Sequence, residues 1–320
     1  MAAAFIFPGQ GSQAVGMGKA LADAFPQARR VFAELDDALS QKLSVLMFEG
    51  PENELTLTAN AQPALMAVSI AVLRVLEAEA GVEIARDVKF VAGHSLGEYS
   101  ALAAAGAFSF ADAARLLRLR GQAMQDAVPV GQGAMAALLG LDFAQSAEVA
   151  ALAAQDGSSS NAVCQAANDN GGGQVVISGT KEAVERAIEI AKAKGARRAI
   201  LLPVSAPFHC ALMQPAADRM AAALGDVSIK TPKVPLVSNV LAAAILDPSE
   251  IRRCLVEQVT GAVRWRESMA YMADREVDVF YELGAGRVLS GLVKRIAEKA
   301  VGMPIGTPAD VEAFKLRALG

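Results

Sequence analysis

The chain has 320 residues, 53% of them hydrophobic and 20% charged, which is enough to bury the core of one large domain or about two domains of average size. The formal net charge of −4 and the low aromatic content of 5% are unfavourable for binding nucleic acid or an anionic membrane. Three widely spaced cysteines without a C-x-x-C pair exclude a disulfide framework and a zinc ribbon.

Targeting and membrane-spanning elements are not expected. The N-terminus lacks the basic start of a signal peptide. The longest uncharged stretch, 55–73, contains several polar residues and a proline, which a bilayer-spanning helix disfavours. We therefore expect a cytoplasmic protein that does not associate with membranes.

The first elements predict an α/β architecture. The run 3–7 is typical of a buried parallel strand and leads into a glycine-rich turn, 8–13. Helical patterns then dominate as far as a second candidate strand, 88–92, which runs directly into the pentapeptide 93–97 and an alanine-rich helix that ends near Gly106. Strands that alternate with helices indicate a parallel sheet with helices on both faces.

A second segment, 130–203, has a different pattern. Its candidate elements follow one another in the order β-α-β-β-α-β, which is that of ferredoxin-like domains. They are the ranges 134–141, 144–154, 161–167, 174–178, 184–191 and 198–204. We predict a small domain over 130–203 inserted into a large α/β domain made of 1–129 and 204–320, which continues with a strand at 278–283 and a C-terminal helix.

The pentapeptide 93–97 fits the G-x-S-x-G nucleophile elbow, with a strand before it and a helix after it. Such a turn projects the serine hydroxyl into a cleft, and its flanking glycines avoid clashes with neighbouring strands. The following helix N-terminus offers free N–H groups to a developing oxyanion. Ser95 is therefore the candidate nucleophile, the alternative being a chance pair of glycines in a strand-loop-helix segment.

A serine nucleophile usually needs a base, and the chain contains two histidines. His94 adjoins Ser95 at a turn where successive side chains diverge, so we do not expect it to reach the hydroxyl. His209, in the loop after the strand 198–204, is the remaining candidate, unless it is a buried histidine without a catalytic role. Cys210 is a weaker candidate nucleophile, because an isolated cysteine is usually a small core residue.

Arg120 interrupts the apolar face of the helix predicted over 110–125. At about 100° per residue, it lies beside Leu116 and Met124. Burying a guanidinium without a partner is costly, so Arg120 requires a carboxylate or a phosphate. That partner is either an acidic residue of the protein or a substrate carboxylate held by the guanidinium fork.

Together these segments resemble the malonyl-CoA:acyl carrier protein transacylases of fatty-acid synthesis, which have related domains in polyketide synthases. Each matching segment is weak alone, but their series, in the family's order, is highly specific. The segments are 7–13, 93–99, 118–121 with Met124, 168–170 with 174–176, 205–209, and 256–259 with Trp265. The stretch beyond about residue 300 matches no motif of the family.

The resemblance implies a role for each matching residue in a two-step transfer through a serine-bound acyl-enzyme. Ser95 would be the nucleophile and His209 its base, with the backbone carbonyl of Gln258 supporting the imidazole. The backbone N–H groups of Gln10 and Leu96 would form the oxyanion hole. The fold implied is a hydrolase-like α/β domain with a ferredoxin-like subdomain, in agreement with the pattern described above.

The resemblance also implies the substrates, malonyl-CoA and acyl carrier protein, with no metal and no cofactor apart from the coenzyme A thioester. Arg120 would pair with the free carboxylate of malonate, and Asn168 would make a weaker contact in the active site. Phe208 before His209 is similar to the form associated with malonyl rather than methylmalonyl selection.

A docking surface for the acidic carrier protein requires a basic patch. Candidates are Lys192, Lys194, Arg197 and Arg198, which form an ordinary solvated helix end in the alternative interpretation. Charge alone does not choose between these two interpretations.

Three other functions are compatible with parts of the sequence. A serine hydrolase would use the same elbow, although its histidine normally comes late in the chain and no acidic partner is obvious. The spacing G-x-G-x-x-A at 9–14 fits a dinucleotide-binding protein, but the acids about 20 residues later fall in a helical pattern. A scaffold that binds carrier protein without chemistry would need only the basic patch.

Overall fold

The computed structural model describes residues 2–155 and 162–318, whose strands form two sheets. The strands are β1 (Ala2–Phe7), β2 (Phe90–Gly93), β3 (Gly133–Leu139), β4 (Cys164–Asp169), β5 (Gln174–Thr180), β6 (Arg198–Leu201), β7 (Leu236–Val237), β8 (Ala244–Ile245), β9 (Val277–Leu283) and β10 (Val301–Ile305).

The helices precede, follow or connect these strands. They are α1 (Lys19–Ala24), α2 (Pro26–Leu39), α3 (Leu43–Glu49), α4 (Glu52–Leu55), α5 (Thr58–Ala80), α6 (Ile84–Asp87), α7 (Gly97–Ala104), α8 (Phe110–Asp126), α9 (Phe143–Gln155), α10 (Lys181–Ala193), α11 (Gln214–Gly225), α12 (Pro248–Thr260), α13 (Trp265–Ala273), α14 (Val288–Ile296) and α15 (Pro308–Ala318), with a 3₁₀ turn at Ala211–Met213.

The larger sheet has the strand order β10-β9-β1-β2-β7-β8 and is parallel except for the short edge strand β8. Strand β1 lies in its centre, and Phe7 at the end of β1 pairs with Gly93 at the end of β2. Because parallel strands end at the same edge of a sheet, the turn after β1 and the elbow after β2 lie side by side. This register places the predicted elbow at the carboxyl edge of the sheet, where ligands bind in open α/β folds.

Helices cover both faces of the larger sheet, as the alternation of strand and helix predicts. Phe5 and Phe7 of β1 join a core cluster with α2, α5 and α8, whereas Ala4 and Ile6 join a second cluster with α13 and α14. Among the described helices, α5 is long and apolar enough to cross a membrane, but 89% of its apolar window is buried inside the protein. It lies in the core on the face of the sheet that carries Phe5 and Phe7.

The smaller sheet has the strand order β4-β5-β3-β6, with every neighbouring pair antiparallel. Helices α9 and α10 pack on it through Val149, Val184 and Ala187. The order of elements is the predicted β-α-β-β-α-β, and the predicted α/β class with a ferredoxin-like part is confirmed. The proposed domain boundaries, 130 and 203, stay a prediction.

Two predicted strands are shorter in the structure, for local reasons. The strand predicted over 88–92 begins at Phe90, because Val88 and Lys89 still belong to the turn by which the chain leaves the short helix α6. The strand predicted over 198–204 ends at Leu201, and Pro203 has no N–H to continue the ladder. The freed residues after β6 line the cleft described below.

Other differences concern short or shifted elements. The strand predicted over 161–167 is β4, displaced toward the C-terminus, and residue 161 lies outside the described part of the chain. Strands β7 and β8 were not predicted, because two residues are too few to show a periodic pattern. Strand β10 and helix α15 follow in the stretch for which no motif is matched.

Candidate active site

The elbow between β2 and α7 has the geometry that its glycines allow. Ser95 has a φ of 53°, in the left-handed region, which turns its side chain out of the strand direction. A Cβ on Gly93 would overlap the backbone of Gly97, and a Cβ on Gly97 would overlap the carbonyl oxygen of Phe7. The turn therefore packs too closely for side chains at these two positions.

His209 lies against Ser95, with its Nε2 atom 2.8 Å from the serine Oγ. Its other ring nitrogen, Nδ1, lies 2.8 Å from the backbone carbonyl oxygen of Gln258. A carbonyl oxygen can only accept, so Nδ1 carries the proton and Nε2 is free to accept from the serine hydroxyl. Burial, and then the positive charge of Arg120, lower the pKa of His209 to about 3, which keeps the imidazole neutral at pH 7.

Arg120 is 1% exposed and reaches the same serine from α8. Its Nη1 donates to Oε1 of Gln62 at 2.9 Å, and its Nη2 donates to Oε1 of Gln258 at 2.8 Å and to Oγ of Ser95 at 3.1 Å. The guanidinium also lies 5.9 Å from the ring centroid of Tyr99. Within the described residues no carboxylate oxygen lies within 4.0 Å of it, so its partners in the protein are neutral.

Gln258 contributes its side chain as well as its backbone carbonyl. The amide Nε2 donates to the backbone oxygen of Ser95 at 2.9 Å and to Oε2 of Glu98 at 2.5 Å. Its Oε1 accepts from Arg120, as described above. One residue of α12 thus contacts the serine, the histidine and the arginine, and it lies behind these groups rather than on the cleft wall.

Asn239, directly after β7, fixes the elbow from the other side. Its Oδ1 accepts from the backbone N–H of Ser95 at 2.8 Å, and its Nδ2 donates to the carbonyl oxygen of Gly93 at 2.8 Å. Its own backbone N–H donates to Oε1 of Glu98 at 2.6 Å. The left-handed turn at the serine is therefore held by a side chain that is remote in sequence.

The remaining predicted site residues line a cleft of about 760 Å³ between the two sheets. Gln10 is exposed in the turn after β1, and Leu96 is the N-cap of α7, where backbone N–H groups have no acceptor within the helix. Asn168 of β4 and Phe208 form parts of the wall on the side of the smaller sheet. All the predicted residues except Gln258 thus face one cleft.

His94 points away from the serine hydroxyl, as the divergence of neighbouring side chains predicts. Its Nε2–H donates to Oδ1 of Asn170 at 2.9 Å, in the turn between β4 and β5, and burial lowers the pKa of its imidazole. Gly9 of the preceding turn packs on the same residue, since a Cβ there would lie 2.8 Å from the carbonyl oxygen of His94. Packing against the elbow thus explains the glycine at position 9, whereas Gly11 is explained by its positive φ of 103°.

Comparison with known proteins agrees with this geometry. Residues 4–307 match the family described as the acyl transferase domain. This chain belongs to the acyl transferase family. Membership in this family excludes the dinucleotide-binding protein considered above. The acidic residues that such a protein would place after a second strand, at positions 34, 36 and 37, lie in helix α2.

Individual relatives place this acyltransferase more closely. It is 48% identical over 309 residues to the malonyl CoA-acyl carrier protein transacylase of Bacillus subtilis strain 168, covering 97% of this chain and 95% of the relative. It is 56% identical to the crystal structure of an acyl-carrier-protein-S-malonyltransferase from Bartonella henselae, with a TM-score of 0.95 over 100% of both chains. The family predicted from the motifs is therefore confirmed.

A third relative was solved with a partner. It is a malonyl-transacylase in complex with a type II PKS acyl-carrier protein, and it is 42% identical to this acyltransferase. The TM-score is 0.94 over 99% of this chain and 100% of the relative.

The basic patch predicted for docking is partly neutralised in this acyltransferase. Lys192 pairs with Glu189 at 2.7 Å, and Lys194 pairs with Glu148 at 2.6 Å. Arg198 is exposed on the edge strand β6, just before the residues that line the cleft. A role for this patch in docking stays a prediction.

Three residues of the site were missed by sequence reasoning, namely Gln62, Glu98 and Asn239. Gln62 lies in α5, which is buried almost all round, so that no apolar face exists for it to interrupt. Glu98 lies in the first turn of a helix, where an acidic residue is common for electrostatic reasons alone. Asn239 follows a strand too short to predict. Only the folded chain brings these residues together.

Proposed function

We propose that this acyltransferase moves a malonyl group from malonyl-CoA to the phosphopantetheine thiol of acyl carrier protein, through a covalent ester on Ser95, in fatty-acid synthesis. The observation that carries the proposal is the buried guanidinium of Arg120, whose Nη2 lies 3.1 Å from Oγ of Ser95. A cation at this distance from the nucleophile suits an acyl group that has its own carboxylate. The relatives' names, which specify malonyl CoA and acyl carrier protein, support the same substrates.

In the first half-reaction, neutral His209 takes the proton of the Ser95 hydroxyl while Oγ attacks the thioester carbonyl carbon. The carbonyl oxygen becomes an oxyanion, and the backbone N–H groups of Gln10 and Leu96 are the proposed donors to it. When the intermediate collapses, the carbon–sulfur bond breaks. The thiolate of coenzyme A then takes the proton from the imidazolium and leaves.

The second half-reaction reverses these roles. The phosphopantetheine thiol gives its proton to His209, and its sulfur attacks the ester carbonyl on Ser95. The bond between Oγ and the acyl carbon breaks, and Oγ takes the proton back. One base therefore serves both halves, and we propose that neither a metal nor a further cofactor takes part.

Arg120 selects the acyl group in this scheme. In a malonyl ester the carboxylate carbon is three bonds from Oγ, and the guanidinium already lies beside that oxygen. The amide oxygens of Gln62 and Gln258 orient the guanidinium without neutralising its charge. The cation therefore keeps its attraction for an incoming carboxylate, which an acetyl group lacks.

The location of the acyl group tests the proposal. Brief incubation of the protein with malonyl-CoA should add the mass of one malonyl group, and peptide mass spectrometry should place it on Ser95. The variant Ser95→Ala should remain unmodified. Ser205→Ala is the matched control, because Ser205 also lines the cleft but its Oγ donates to Gln125 at 2.7 Å. An adduct that survives in Ser95→Ala would exclude the proposed nucleophile.

The acceptor thiol is tested with the protein that carries the malonyl group on Ser95. Addition of phosphopantetheinylated acyl carrier protein should transfer the malonyl group to the carrier, whereas a serine hydrolase would release free malonate. We place this reaction in the cytoplasm, where coenzyme A thioesters are substrates of soluble fatty-acid synthesis. Release of malonate as the main product in the presence of the carrier would contradict the transferase assignment.

A further inference from the structure

Glu98 is a buried carboxylate that the proposed mechanism does not use. It is fully buried in the first turn of α7, beneath the elbow. Its Oε1 lies 2.6 Å from the backbone nitrogen of Asn239, and its Oε2 lies 2.5 Å from Nε2 of Gln258. Both oxygens therefore face nitrogen atoms that carry protons.

The directions of these hydrogen bonds are fixed by chemistry. The backbone N–H of Asn239 can only donate, so Oε1 of Glu98 must accept. At the other end of the network, the guanidinium of Arg120 can only donate, so the atom of Gln258 that faces it at 2.8 Å must be the amide oxygen. The nitrogen of the same amide then faces Glu98. The amide can satisfy both neighbours only in this orientation, provided that Glu98 accepts.

We propose that Glu98 is a positioning residue for acyl selection, whose ionised carboxylate fixes the amide of Gln258 and, through it, the guanidinium of Arg120. The proposal rests on the function proposed above, in which Arg120 binds the acyl carboxylate. A protonated Glu98 has a hydroxyl group that must donate, and Gln258 would have to turn its amide oxygen toward it. The amide nitrogen would then face the guanidinium, donor against donor, and Arg120 would lose an acceptor.

The burial of Glu98 places this change just above neutral pH. The titratable groups that face it in the described structure are Arg120 on α8, Cys254 on α12 and Tyr99 on its own helix. Burial raises the pKa of Glu98 to about 8, against the smaller lowering effects of its hydrogen bonds and of Arg120. As the pH falls through this value Glu98 gains its proton, so the preference for a carboxylated acyl group should weaken.

The test compares two donors over a pH range. The measured quantity is the ratio of the rate constants with which malonyl-CoA and acetyl-CoA acylate Ser95, from about pH 6 to about pH 9.5. Effects on His209 and on the leaving thiol act on both donors and cancel in this ratio. In the unmodified protein the ratio should rise with pH, with a midpoint near the pKa of Glu98.

The variant Glu98→Gln should abolish this rise. In this variant the backbone N–H of Asn239 requires the amide oxygen of the new side chain. The amide nitrogen of that side chain therefore faces Gln258 permanently and donates to it, as the hydroxyl of a protonated Glu98 would. We expect the ratio to be independent of pH and about 10- to 100-fold below that of the unmodified protein at high pH, which corresponds to one hydrogen bond to a charged group. Acetylation should change much less.

Glu282→Gln is the matched control, because Glu282 is also a buried glutamate that accepts two N–H bonds, from Leu289 and Ser290 at the start of α14. This variant should lower the free energy of unfolding and leave the ratio and its pH dependence unchanged. A ratio in Glu98→Gln equal to that of the unmodified protein would overturn the proposal, as would an equal loss with both donors.

The unmodified protein provides a second test that does not depend on the folding of a variant. A malonyl-to-acetyl ratio that stays flat across the whole pH range would overturn the role of Glu98. Failure of the underlying function has a different result, because the unmodified protein would then take up no malonyl group on Ser95 at any pH.

Discussion

The two halves of the active site are built in different ways. The reacting pair, Ser95 and His209, depends on backbone conformation: both residues have positive φ, 53° and 60°, and the imidazole is anchored on a main-chain carbonyl. The side chain that supports the serine turn, that of Asn239, also binds main-chain groups of the elbow. The selecting half is held by side chains, because Arg120 bonds to two glutamine oxygens and one of these amides, that of Gln258, is fixed by Glu98.

This difference should separate chemistry from selectivity in variants. Positions set by left-handed backbone and by main-chain bonds depend on the surrounding fold, which stores their strain. Positions set by a chain of side-chain amides depend on the identity of each member, and the loss of one reorients the next. Substitutions in the first half should therefore affect all donors alike, whereas substitutions in the second should change the choice of donor.

The largest effect is expected for His209→Asn. Asparagine tolerates the left-handed φ of this position but provides no base, so acylation of Ser95 should slow by about 10⁴-fold or more with malonyl-CoA and acetyl-CoA alike. Stopped-flow measurement of coenzyme A release gives both rates. The control is Cys210→Ala, which removes the neighbouring thiol and should retain most activity. A loss of less than about tenfold in His209→Asn would show that another group is the base.

A smaller and selective effect is expected for Arg120→Ala. Loss of the guanidinium should slow acylation by malonyl-CoA by about 100-fold and acylation by acetyl-CoA by no more than about tenfold. The control is Arg118→Ala, two residues earlier on α8, whose side chain does not line the cleft. Equal losses with both donors would place Arg120 in the reacting half and remove the distinction between the two halves of the site.

The same division explains how much of the site could be predicted from the sequence. Ser95 is marked by its motif, His209 by the scarcity of histidines, and Arg120 by its place on an apolar helix face. Each of these signals is local or compositional. Of the residues that orient Arg120, Gln258 was indicated by the family resemblance, and only for its backbone carbonyl. Gln62 and Glu98 carry no local signal, because glutamine and glutamate are common residue types and their pairing depends on tertiary contacts.

Prediction of the fold from the sequence has a similar limit. The parallel core and the β-α-β-β-α-β segment were predictable because their elements are long enough to show a period of 2 or 3.6 residues. Strand β7 has two residues, yet it places Asn239 against the elbow and thereby holds the backbone of Ser95. Elements of this length are specified by their neighbours in the sheet, and a sequence pattern cannot reveal them.

The smallest expected effect tests whether the two halves interact through space. The positive charge of Arg120 is the second cause, after burial, of the low pKa of His209. Arg120→Gln should therefore raise the pKa of His209 by up to about one pH unit, while burial keeps it below that of a free imidazole. The chain contains two histidines, so the imidazole proton resonances can be assigned with His209→Asn and followed by NMR as the pH is lowered.

His94 is an internal control in this titration. Its pKa is lowered by burial and raised by its bond to Asn170, without a contribution from Arg120, so its resonances should titrate identically in both proteins. A shift of His209 alone would mean that the selecting cation also tunes the base, although the main chain of Gln258 anchors the base and its side chain anchors the cation. Equal shifts of both histidines would instead indicate a general loosening of the site, and an unchanged His209 would make the two halves electrostatically independent.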